Sequence, residues 1–257
     1  MNDLFDITGK TAVVTGGGRG IGEMIAGGLV DAGAKVYISS RKADALQATA
    51  DRISANGTCI AVPADLSTEE GVAALAAAVA DEPAIDILVN NSGVTWGAPL
   101  DEFPRSGFDK VLNTNVTGVF LVTQALLPKL RASASADDPA RIINIGSVAG
   151  NNAPGRGGNN WSYSASKAAV HMLTKHLAMD LAHEHITVNA VAPGPFPSKM
   201  MAFLLDDPAT RDVVASSVPL GRIGRPGDAA GTVIFLASEA GSYLTGAVIP
   251  LGGGSGI

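Results

Sequence analysis

Short runs of consecutive apolar residues alternate along the chain with longer segments in which apolar residues recur every three or four positions. The short runs predict buried strands, because a strand covered on both faces is apolar at nearly every position. The longer segments predict helices that each bury one face. The predicted strands are residues 11–15, 35–39, 58–63, 86–90, 141–145, 186–191 and 247–251, and the predicted helices are residues 21–32, 43–55, 68–80, 108–132, 162–183 and 226–238.

This alternation predicts an α/β fold with a doubly wound parallel sheet of about seven strands and helices on both faces. No shift in composition and no repeat divides the chain, so residues 1–257 are expected to form a single domain. Residues 134–140, 151–160 and 193–219 are predicted to be loops. The last is long, and such segments often cover a site. We therefore expect a lid at about residues 194–219, with a passive surface loop as the alternative.

Composition narrows the functional classes. With 46% hydrophobic and 16% charged residues, the chain of 257 residues can bury a sizeable core. The net charge of −6 and the lack of Lys/Arg runs disfavour nucleic acid as a partner, and no basic amphipathic stretch suggests membrane binding. The N-terminus lacks a basic region followed by an apolar run, so we expect a cytoplasmic protein. The single cysteine, Cys59, is expected to be a buried strand residue.

A glycine-rich turn follows the first predicted strand. Residues 16–22 read GGGRGIG, and a predicted helix comes next. Gly16 permits a sharp turn, Gly20 lets the backbone approach a pyrophosphate, and Gly22 allows close packing of helix on strand. The helix N-terminus adds free N–H groups for the phosphates. This context predicts a dinucleotide-binding site, with a plain strand-to-helix turn as the weaker alternative.

The end of the second predicted strand indicates which dinucleotide. An NAD site usually has a carboxylate there, but this chain reads Ser40-Arg41-Lys42. Arg41 can pair with a 2′-phosphate, and Arg19 in the glycine turn can approach the same group. The alternative is that Arg41 and Lys42 merely begin a solvated helix. We predict a preference for NADP(H) over NAD(H).

Tyr163 and Lys167 stand at positions i and i+4 of a predicted helix and therefore share one face. An ammonium close to a phenol favours the phenolate and lowers the pKa of the phenol. Tyr163 is thus a candidate general acid for ketone reduction and a base for alcohol oxidation. Taken alone, such a pair more often lies on the protein surface without a functional role.

The order and spacing of several motifs favour the catalytic interpretation of this pair. These motifs are Thr15-Gly16-x-x-x-Gly20-x-Gly22, Asn90-Asn91-Ser92-Gly93, Asn113-x-Asn115, Ser147, Tyr163-x-x-x-Lys167 and Pro193-Gly194. With them, the chain from residue 15 to residue 253 resembles the short-chain dehydrogenase/reductase family, which implies a Rossmann-type fold and an NADP-dependent oxidoreductase.

The resemblance implies a role for each catalytic candidate. Tyr163 would exchange a proton with the substrate oxygen, and Ser147 would hydrogen-bond that oxygen. Lys167 would bind the nicotinamide ribose and lower the pKa of the tyrosine. Asn115 would hold a water in a proton relay. The alternative for Asn115 is a polar residue that satisfies backbone groups.

The resemblance also implies the cofactor contacts. Asp65 would lie beside the adenine, with a helix-terminal acid as the alternative. Asn91 would stabilise the central sheet and border the cofactor. The complete set of expected cofactor-binding residues is Gly16, Gly18, Arg19, Gly20, Ile21, Gly22, Ser40, Arg41, Asp65, Leu66, Asn91, Ser92, Gly93, Tyr163, Lys167, Pro193, Gly194 and Phe196.

Two departures from the family pattern concern the substrate pocket. Ser92 replaces the usual alanine, a small change, and the gap from Ser147 to Tyr163 is a few residues longer than usual. The additional residues fall within 152–161 and leave the pocket shape open. Trp96 and Trp161 are expected either to line an apolar pocket or to serve ordinary packing.

The chain looks most like 3-oxoacyl reductases. Carrier-protein-dependent members present basic residues before the fifth and sixth strands, but residues 136–139 read ADDP and residues 182–185 read AHEH here. Acidic groups would repel an acidic carrier protein, so a free ketone, a CoA ester or another small carbonyl is favoured. The family resemblance also implies a homotetramer built through the helices at 108–132 and 162–183 and the last strand.

Two functional alternatives remain open, and no metal site is expected. The same residues would serve an NAD(P)-dependent secondary-alcohol dehydrogenase that works oxidatively. A cofactor-sensing protein without turnover is disfavoured because both Tyr163 and Lys167 are present. The pair His183 and His185 lacks supporting cysteines or acids, so we expect no metal there.

Overall fold

The computed structural model describes residues 2–153, 155, 157–199, 201–202 and 206–255. Seven parallel strands form one sheet in the order β3-β2-β1-β4-β5-β6-β7. This confirms the predicted doubly wound arrangement. The strands are β1 (Thr11–Thr15), β2 (Lys35–Ser40), β3 (Cys59–Pro63), β4 (Ile87–Asn90), β5 (Ala140–Ile145), β6 (Ile186–Pro193) and β7 (Val248–Leu251).

Helices cover both faces of the sheet. Apolar side chains of α1, α2 and α8 share a core with one face, and those of α3, α5 and α6 share a core with the other. Neighbouring strand residues supply opposite cores, since Val14 points into the first and Val13 into the second. The helices are α1 (Gly20–Asp31), α2 (Ala43–Ile53), α3 (Glu69–Ala78), α4 (Arg105–Leu112), α5 (Gly118–Ser133), α6 (Trp161–Leu181), α7 (Pro208–Ser217) and α8 (Pro226–Ala237).

The predicted helix at 108–132 differs from the structure. It is two helices, α4 and α5, joined by a π-helical turn at Asn113–Thr117. A π turn adds a residue to the backbone without breaking the run of helical residues, so hydrophobic periodicity does not show it. The junction places Asn115 at a local widening of the helix.

The predicted loop at 193–219 contains a helix, α7. Asp207 caps it, because its carboxylate accepts a hydrogen bond from the Thr210 N–H at 2.9 Å, and Pro208 occupies the first turn. Asp-Pro is a helix-start signal that the high proline content of this segment concealed. Residues 200 and 203–205 of the expected lid lie outside the described residues.

A row of buried polar side chains crosses the second core. Asn90 Nδ2 donates to Thr123 Oγ1 at 3.1 Å and to Asn144 Oδ1 at 2.9 Å. Asn144 Nδ2 donates in turn to Thr174 Oγ1 at 2.9 Å. All four side chains are buried, so these bonds replace those that water would supply. The row links α5, β4, β5 and α6 and fixes α6 against the ends of the central strands.

The stretch Arg105–Ser133 is long and apolar enough, by length and composition, to cross a membrane. In this structure 39% of its apolar window is buried, and α5 packs on β4, β5 and α3. The stretch thus serves as a layer of the fold. Phe120 on its outer side remains 43% exposed.

Cys59 lies in β3 and is buried, as predicted. Burial raises the pKa of its thiol to about 11. At neutral pH the side chain is therefore a protonated, unreactive thiol that contributes to packing.

Candidate active site

The candidate residues meet at the carboxyl ends of the central strands. The glycine turn follows β1, residues 91–93 follow β4, and Ser147 follows β5. β1 and β4 are neighbours in the sheet although β2 and β3 lie between them in sequence. Strands β2 and β3 lie on one side of β1, and β4 to β7 lie on the other. In doubly wound folds the loops that leave two such strands diverge, and the crevice between them binds ligands.

The glycine turn requires residues without side chains. Gly16 and Gly20 have φ angles of +65° and +57°, in the left-handed region that favours glycine. A Cβ on Gly22 would lie 2.4 Å from both Asn91 Nδ2 and the carbonyl oxygen of Gly16. Helix α1 begins at Gly20, immediately after the turn, and so directs its N-terminal N–H groups toward the crevice. The turn thus leaves open space and free backbone N–H groups that could hold a phosphate.

A set of hydrogen bonds joins the glycine turn to the segment after β4. Asn91 Nδ2 donates to the carbonyl oxygens of Thr15 at 2.9 Å and of Gly16 at 3.2 Å. Thr15 Oγ1 accepts from the backbone N–H groups of Asn91 and Ser92 at 2.9 and 3.0 Å. Asn91 therefore links the end of β4 to the glycine turn, and its place beside the cofactor stays a prediction.

Two exposed arginines flank the turn. Arg19 precedes α1 and is exposed, and Arg41 follows β2 with a side chain that is 58% exposed. Arg41 Nη1 lies 3.8 Å from Asp65 Oδ2. Burial raises the pKa of Asp65, but hydrogen bonds from Ser67 and the charge of Arg41 outweigh it and hold this pKa below its usual value. A long, exposed ion pair contributes little, so Arg41 can turn toward an anionic ligand.

Lys167 is a buried cation next to Tyr163. Its Nζ donates to the carbonyl oxygen of Ile145 at 2.7 Å and lies 5.6 Å from the centre of the Tyr163 ring. Burial lowers the pKa of Lys167 to about 8. A Cβ on Gly93 would lie 3.6 Å from the same Nζ. The segment after β4, the end of β5 and α6 thus converge on this ammonium.

The sequence predicted that Lys167 lowers the pKa of Tyr163, and this prediction is wrong for the protein alone. Burial raises the pKa of Tyr163, and the hydrogen bond with Ser147 offsets only part of this effect. The low-dielectric surroundings penalise the phenolate more strongly than the neighbouring groups favour it. Tyr163 is therefore held as a neutral phenol, the form that can donate a proton.

Ser147 is placed by its backbone. It is buried, it precedes the 3-10 turn Val148–Gly150 and its Oγ accepts from the Ala149 N–H at 3.2 Å. Its own N–H donates to His171 Nε2 at 3.4 Å. None of the sequence motifs includes His171. Its spacing of eight residues from Tyr163, on the same helix face, is the signal that would have found it.

Asn115 bridges two parts of the site. Its Nδ2 donates to the Val94 carbonyl oxygen at 3.0 Å and to Ser166 Oγ at 2.9 Å, and its Oδ1 accepts from the Val94 N–H at 2.8 Å. These contacts match the alternative in which Asn115 satisfies backbone groups. The proton-relay role stays a prediction.

The lengthened segment before α6 is tied to the segment after β4. Trp161 Nε1 donates to the Ala98 carbonyl oxygen at 3.2 Å, and the Ala98 N–H donates to the Asn159 carbonyl oxygen at 3.1 Å. Trp96 lies under Lys110, whose Nζ is 5.4 Å from the ring centre. Trp96 thus packs against α4, and Trp161 begins α6 two residues before Tyr163. Residues 154 and 156 of this segment lie outside the described residues.

The remaining expected cofactor residues differ in what they can offer. Pro193 ends β6, and the Gly194 N–H donates to the Leu251 carbonyl oxygen at 3.0 Å. The Phe196 ring is buried and packs so closely that a Cβ on Gly224 would lie 2.3 Å from it. Leu66 is also buried. A cofactor contact at Phe196 or Leu66 would therefore have to come from the main chain.

Within the described part of the chain, no group of three or more His, Cys, Asp or Glu side chains could hold a metal ion. His183 and His185 lie at the end of α6 and the start of β6, away from the crevice.

Comparisons with known proteins agree with this geometry. The family model described as Enoyl-(Acyl carrier protein) reductase matches residues 16–255. The rhamnolipids biosynthesis 3-oxoacyl-(acyl-carrier-protein) reductase of Pseudomonas aeruginosa is 52% identical over 99% of both chains. The gluconate 5-dehydrogenase of Gluconobacter oxydans is 36% identical over 98% of this chain and 96% of the relative. The Pseudomonas aeruginosa RhlG/NADP active-site complex superposes with a TM-score of 0.96 at 51% identity, over 100% of both chains.

The match to the family model spans most of the sequence, and the curated relatives align over nearly their whole length. The fold and the convergence of Ser147, Tyr163 and Lys167 in the crevice are consistent with these matches. The chain therefore belongs to the short-chain dehydrogenase/reductase family of oxidoreductases.

Proposed function

We propose that this protein is an NADPH-dependent reductase that converts the ketone of a 3-oxoacyl thioester to a secondary alcohol. The observation that carries the proposal is Tyr163, a partly buried phenol that is held neutral and lies beside Ser147 and the Lys167 ammonium. A proton donor and a hydroxyl at one point are what the oxygen of a ketone requires when it gains negative charge. The relative named as a 3-oxoacyl-(acyl-carrier-protein) reductase supports the substrate class.

The residues present fit NADPH. The cradle formed by Gly16, Gly20 and the start of α1 suits the pyrophosphate, and a Cβ at Gly16 would lie 2.8 Å from Asn91 Nδ2. Arg19 and Arg41 suit the 2′-phosphate, and the structural relative complexed with NADP supports this preference. NADPH supplies the hydride when bound.

The chain's own residues supply the rest of the chemistry. Ser147 Oγ would hydrogen-bond the ketone oxygen and orient it toward Tyr163. Tyr163 would donate its phenolic proton to that oxygen, and the nearby Lys167 ammonium would stabilise the phenolate left behind. Asn115 would hold the water through which Tyr163 regains a proton. Lys167 is buried and Tyr163 is partly buried, so the ammonium at least is shielded from bulk water during this exchange.

The approach to the site favours an acyl chain over a sugar acid. We infer that Trp96 and Trp161 present aromatic surface to the substrate, since Trp161 is 39% exposed and Trp96 is partly exposed in the segment after β4. Aromatic surface favours burial of methylene groups, whereas a polyhydroxy acid needs hydrogen-bonding and cationic partners. This observation separates the proposal from the gluconate 5-dehydrogenase activity named for one relative.

Two of the three acidic residues expected to repel a carrier protein, Asp138 and Glu184, are paired with basic side chains. Lys10 Nζ lies 2.5 Å from Asp138 Oδ2, and Arg131 Nη2 donates to Glu184 Oε1 at 2.7 Å. Arg141 Nη2 also lies 3.3 Å from Asp138 Oδ1. Pairing offsets part of the local negative charge, so these segments repel an acidic carrier less than the sequence suggested. We therefore propose a thioester substrate in either its CoA or its carrier-bound form.

The substrate proposal is tested by assaying NADPH oxidation with 3-oxoacyl-CoA esters of increasing chain length, the corresponding carrier-bound esters and 5-keto-D-gluconate. We expect kcat/KM to be highest for a thioester, because the tryptophans bury its chain. Tyr163→Phe should lower kcat by roughly 10²–10⁴-fold, since it removes the general acid. A folded Tyr163→Phe variant with parental kcat, or a parent enzyme that prefers the sugar acid, would contradict the proposal.

Arg41→Asp tests the cofactor preference. We expect kcat/KM for NADPH to fall about 10- to 100-fold, because an attractive charge-assisted contact becomes repulsive, while kcat/KM for NADH stays level or rises. Arg105→Asp is the matched control, since it makes the same change in net charge at a side chain that is 93% exposed on α4. An unchanged ratio of the two efficiencies in Arg41→Asp would remove Arg41 from the 2′-phosphate site.

The pKa of Lys167 predicts a loss of NADPH use at alkaline pH. Lysine is a cation below its pKa, so the charge that binds the nicotinamide ribose is fully present at neutral pH and is lost as the pH rises through about 8. Because kcat/KM reports groups of the free enzyme, kcat/KM for NADPH should fall above about pH 8. Tyr163 stays protonated across this range, since its pKa is raised. A flat profile from about pH 7 to about pH 10 would contradict this role of Lys167.

We propose that residues 1–257 act as one dinucleotide-binding and catalytic domain, with a substrate lid at about 194–219. The lid base supports this, because a Cβ on Gly20 would lie 3.2 Å from Ser198 Cβ, so the segment reaches the glycine turn. We also propose that the enzyme works in the cytoplasm on a small-molecule carbonyl.

We propose a homotetramer assembled through α5, α6 and the edge strand β7. Apolar side chains on the outer faces of α5 and α6 support this: Phe120, Met172 and Met179 are 43%, 64% and 82% exposed. Tyr243, just before β7, is fully exposed. These faces resemble interface cores that lack their partner surface.

Sedimentation tests the assembly. The parent should sediment as a tetramer, and the double variant Met172→Asp/Met179→Asp should shift toward smaller species, because charge is costly in an apolar interface. Val213→Asp on α7 is the control, since Val213 is 68% exposed but lies outside these faces. A parent that sediments as a monomer at assay concentration would refute the tetramer.

A further inference from the structure

His171 is the third member of a stripe on α6. Tyr163, Lys167 and His171 follow one another at intervals of four residues, so they lie one helical turn apart on the same face. His171 is 7% exposed, unlike His176 on the same helix, which faces outward. The imidazole therefore points toward the end of β5, as Tyr163 and Lys167 do.

The segment after β5 is shaped around this imidazole. A Cβ on Gly146 would lie 2.1 Å from His171 Nε2, and a Cβ on Gly150 would lie 2.8 Å from His171 Cε1. Two glycines thus let the backbone on both sides of Ser147 rest directly on the ring. The position of the Ser147 backbone is set by contact with His171.

A hydrogen bond completes this contact. The Gly146 N–H still belongs to the sheet and donates to the Val191 carbonyl oxygen at 2.7 Å. The Ser147 N–H comes after the end of β5 and donates to His171 Nε2 at 3.4 Å. Nε2 can accept only when the ring is neutral and carries its proton on Nδ1.

The surroundings favour that neutral form. Burial lowers the pKa of His171, and the charges of Lys167 and Lys175 lower it further. The acceptor at Nε2 is therefore present at neutral pH.

We propose that His171 is a positioning residue that fixes the Ser147 hydroxyl relative to Tyr163. The assignment rests on the role of Ser147 in the function proposed above. Lys167 holds the Ile145 carbonyl oxygen and His171 holds the Ser147 N–H, so two successive turns of α6 grip the chain on either side of Gly146. The helix that carries the proton donor thereby also sets the position of the hydroxyl that orients the substrate.

Three variants test the proposal, with a 3-oxoacyl-CoA ester and NADPH as substrates. His171→Leu removes the acceptor, and we expect kcat to fall by about tenfold or more while the Kd for NADPH, measured by fluorescence titration, is unchanged. His171→Gln retains an acceptor and should recover most of the lost kcat. His176→Leu is the matched control on the exposed side of α6 and should behave as the parent. If His171→Leu fails to fold, His171→Met takes its place.

A double-mutant cycle with Ser147→Ala separates positioning from general support of the fold. If His171 acts through Ser147, adding His171→Leu to Ser147→Ala should lower kcat by less than about threefold more. Equal effects in the two backgrounds, parental kcat in His171→Leu, or a matching loss of NADPH binding would overturn the role of His171. Parental kcat in Ser147→Ala alone would instead refute the proposed function of Ser147.

Discussion

The burial of the Lys167 ammonium is the constraint on which the site depends. Removing a cation from water is unfavourable in free energy. Two contacts partly compensate Lys167: a hydrogen bond to the Ile145 carbonyl oxygen and a position beside the Tyr163 ring. The ends of β4 and β5 and the start of α6 must therefore lie where they do for the cation to be tolerated. The depressed pKa of Lys167 shows that the cost is only partly offset.

Tyr163 and Lys167 respond to the same burial in opposite senses. Low polarity disfavours charge on either group, so it raises the pKa of the phenol and lowers that of the ammonium. The two pKa values are thereby pushed apart, in the direction that keeps a proton on the tyrosine before reaction. Once the tyrosine has given up that proton, the cation and the phenolate neutralise each other, and the medium that penalised each charge alone strengthens their attraction.

The sequence predicted the elements that local pattern determines. The seven strands, the glycine turn and the Tyr163–Lys167 pair follow from apolar runs and fixed spacings, and the structure has each of them. What the sequence missed depends on the tertiary environment. The sign of the Tyr163 pKa shift follows from burial, and the π turn at Asn113–Thr117 from an inserted backbone residue that periodicity does not register. The place of His171 in the site was not predictable because Gly146 and Gly150 contact its ring only in the folded chain.

The hydrogen-bonded row from Thr123 through Asn90 and Asn144 to Thr174 limits how this core can evolve. Exchange of one member for an apolar residue strands a buried donor or acceptor on its neighbour, whereas simultaneous exchange of all four leaves nothing unpaired. Stepwise change from this core to a wholly apolar one therefore passes through variants of lower stability. The polar core is therefore retained during evolution because the single variants are less stable, even if a fully apolar core would be equally stable.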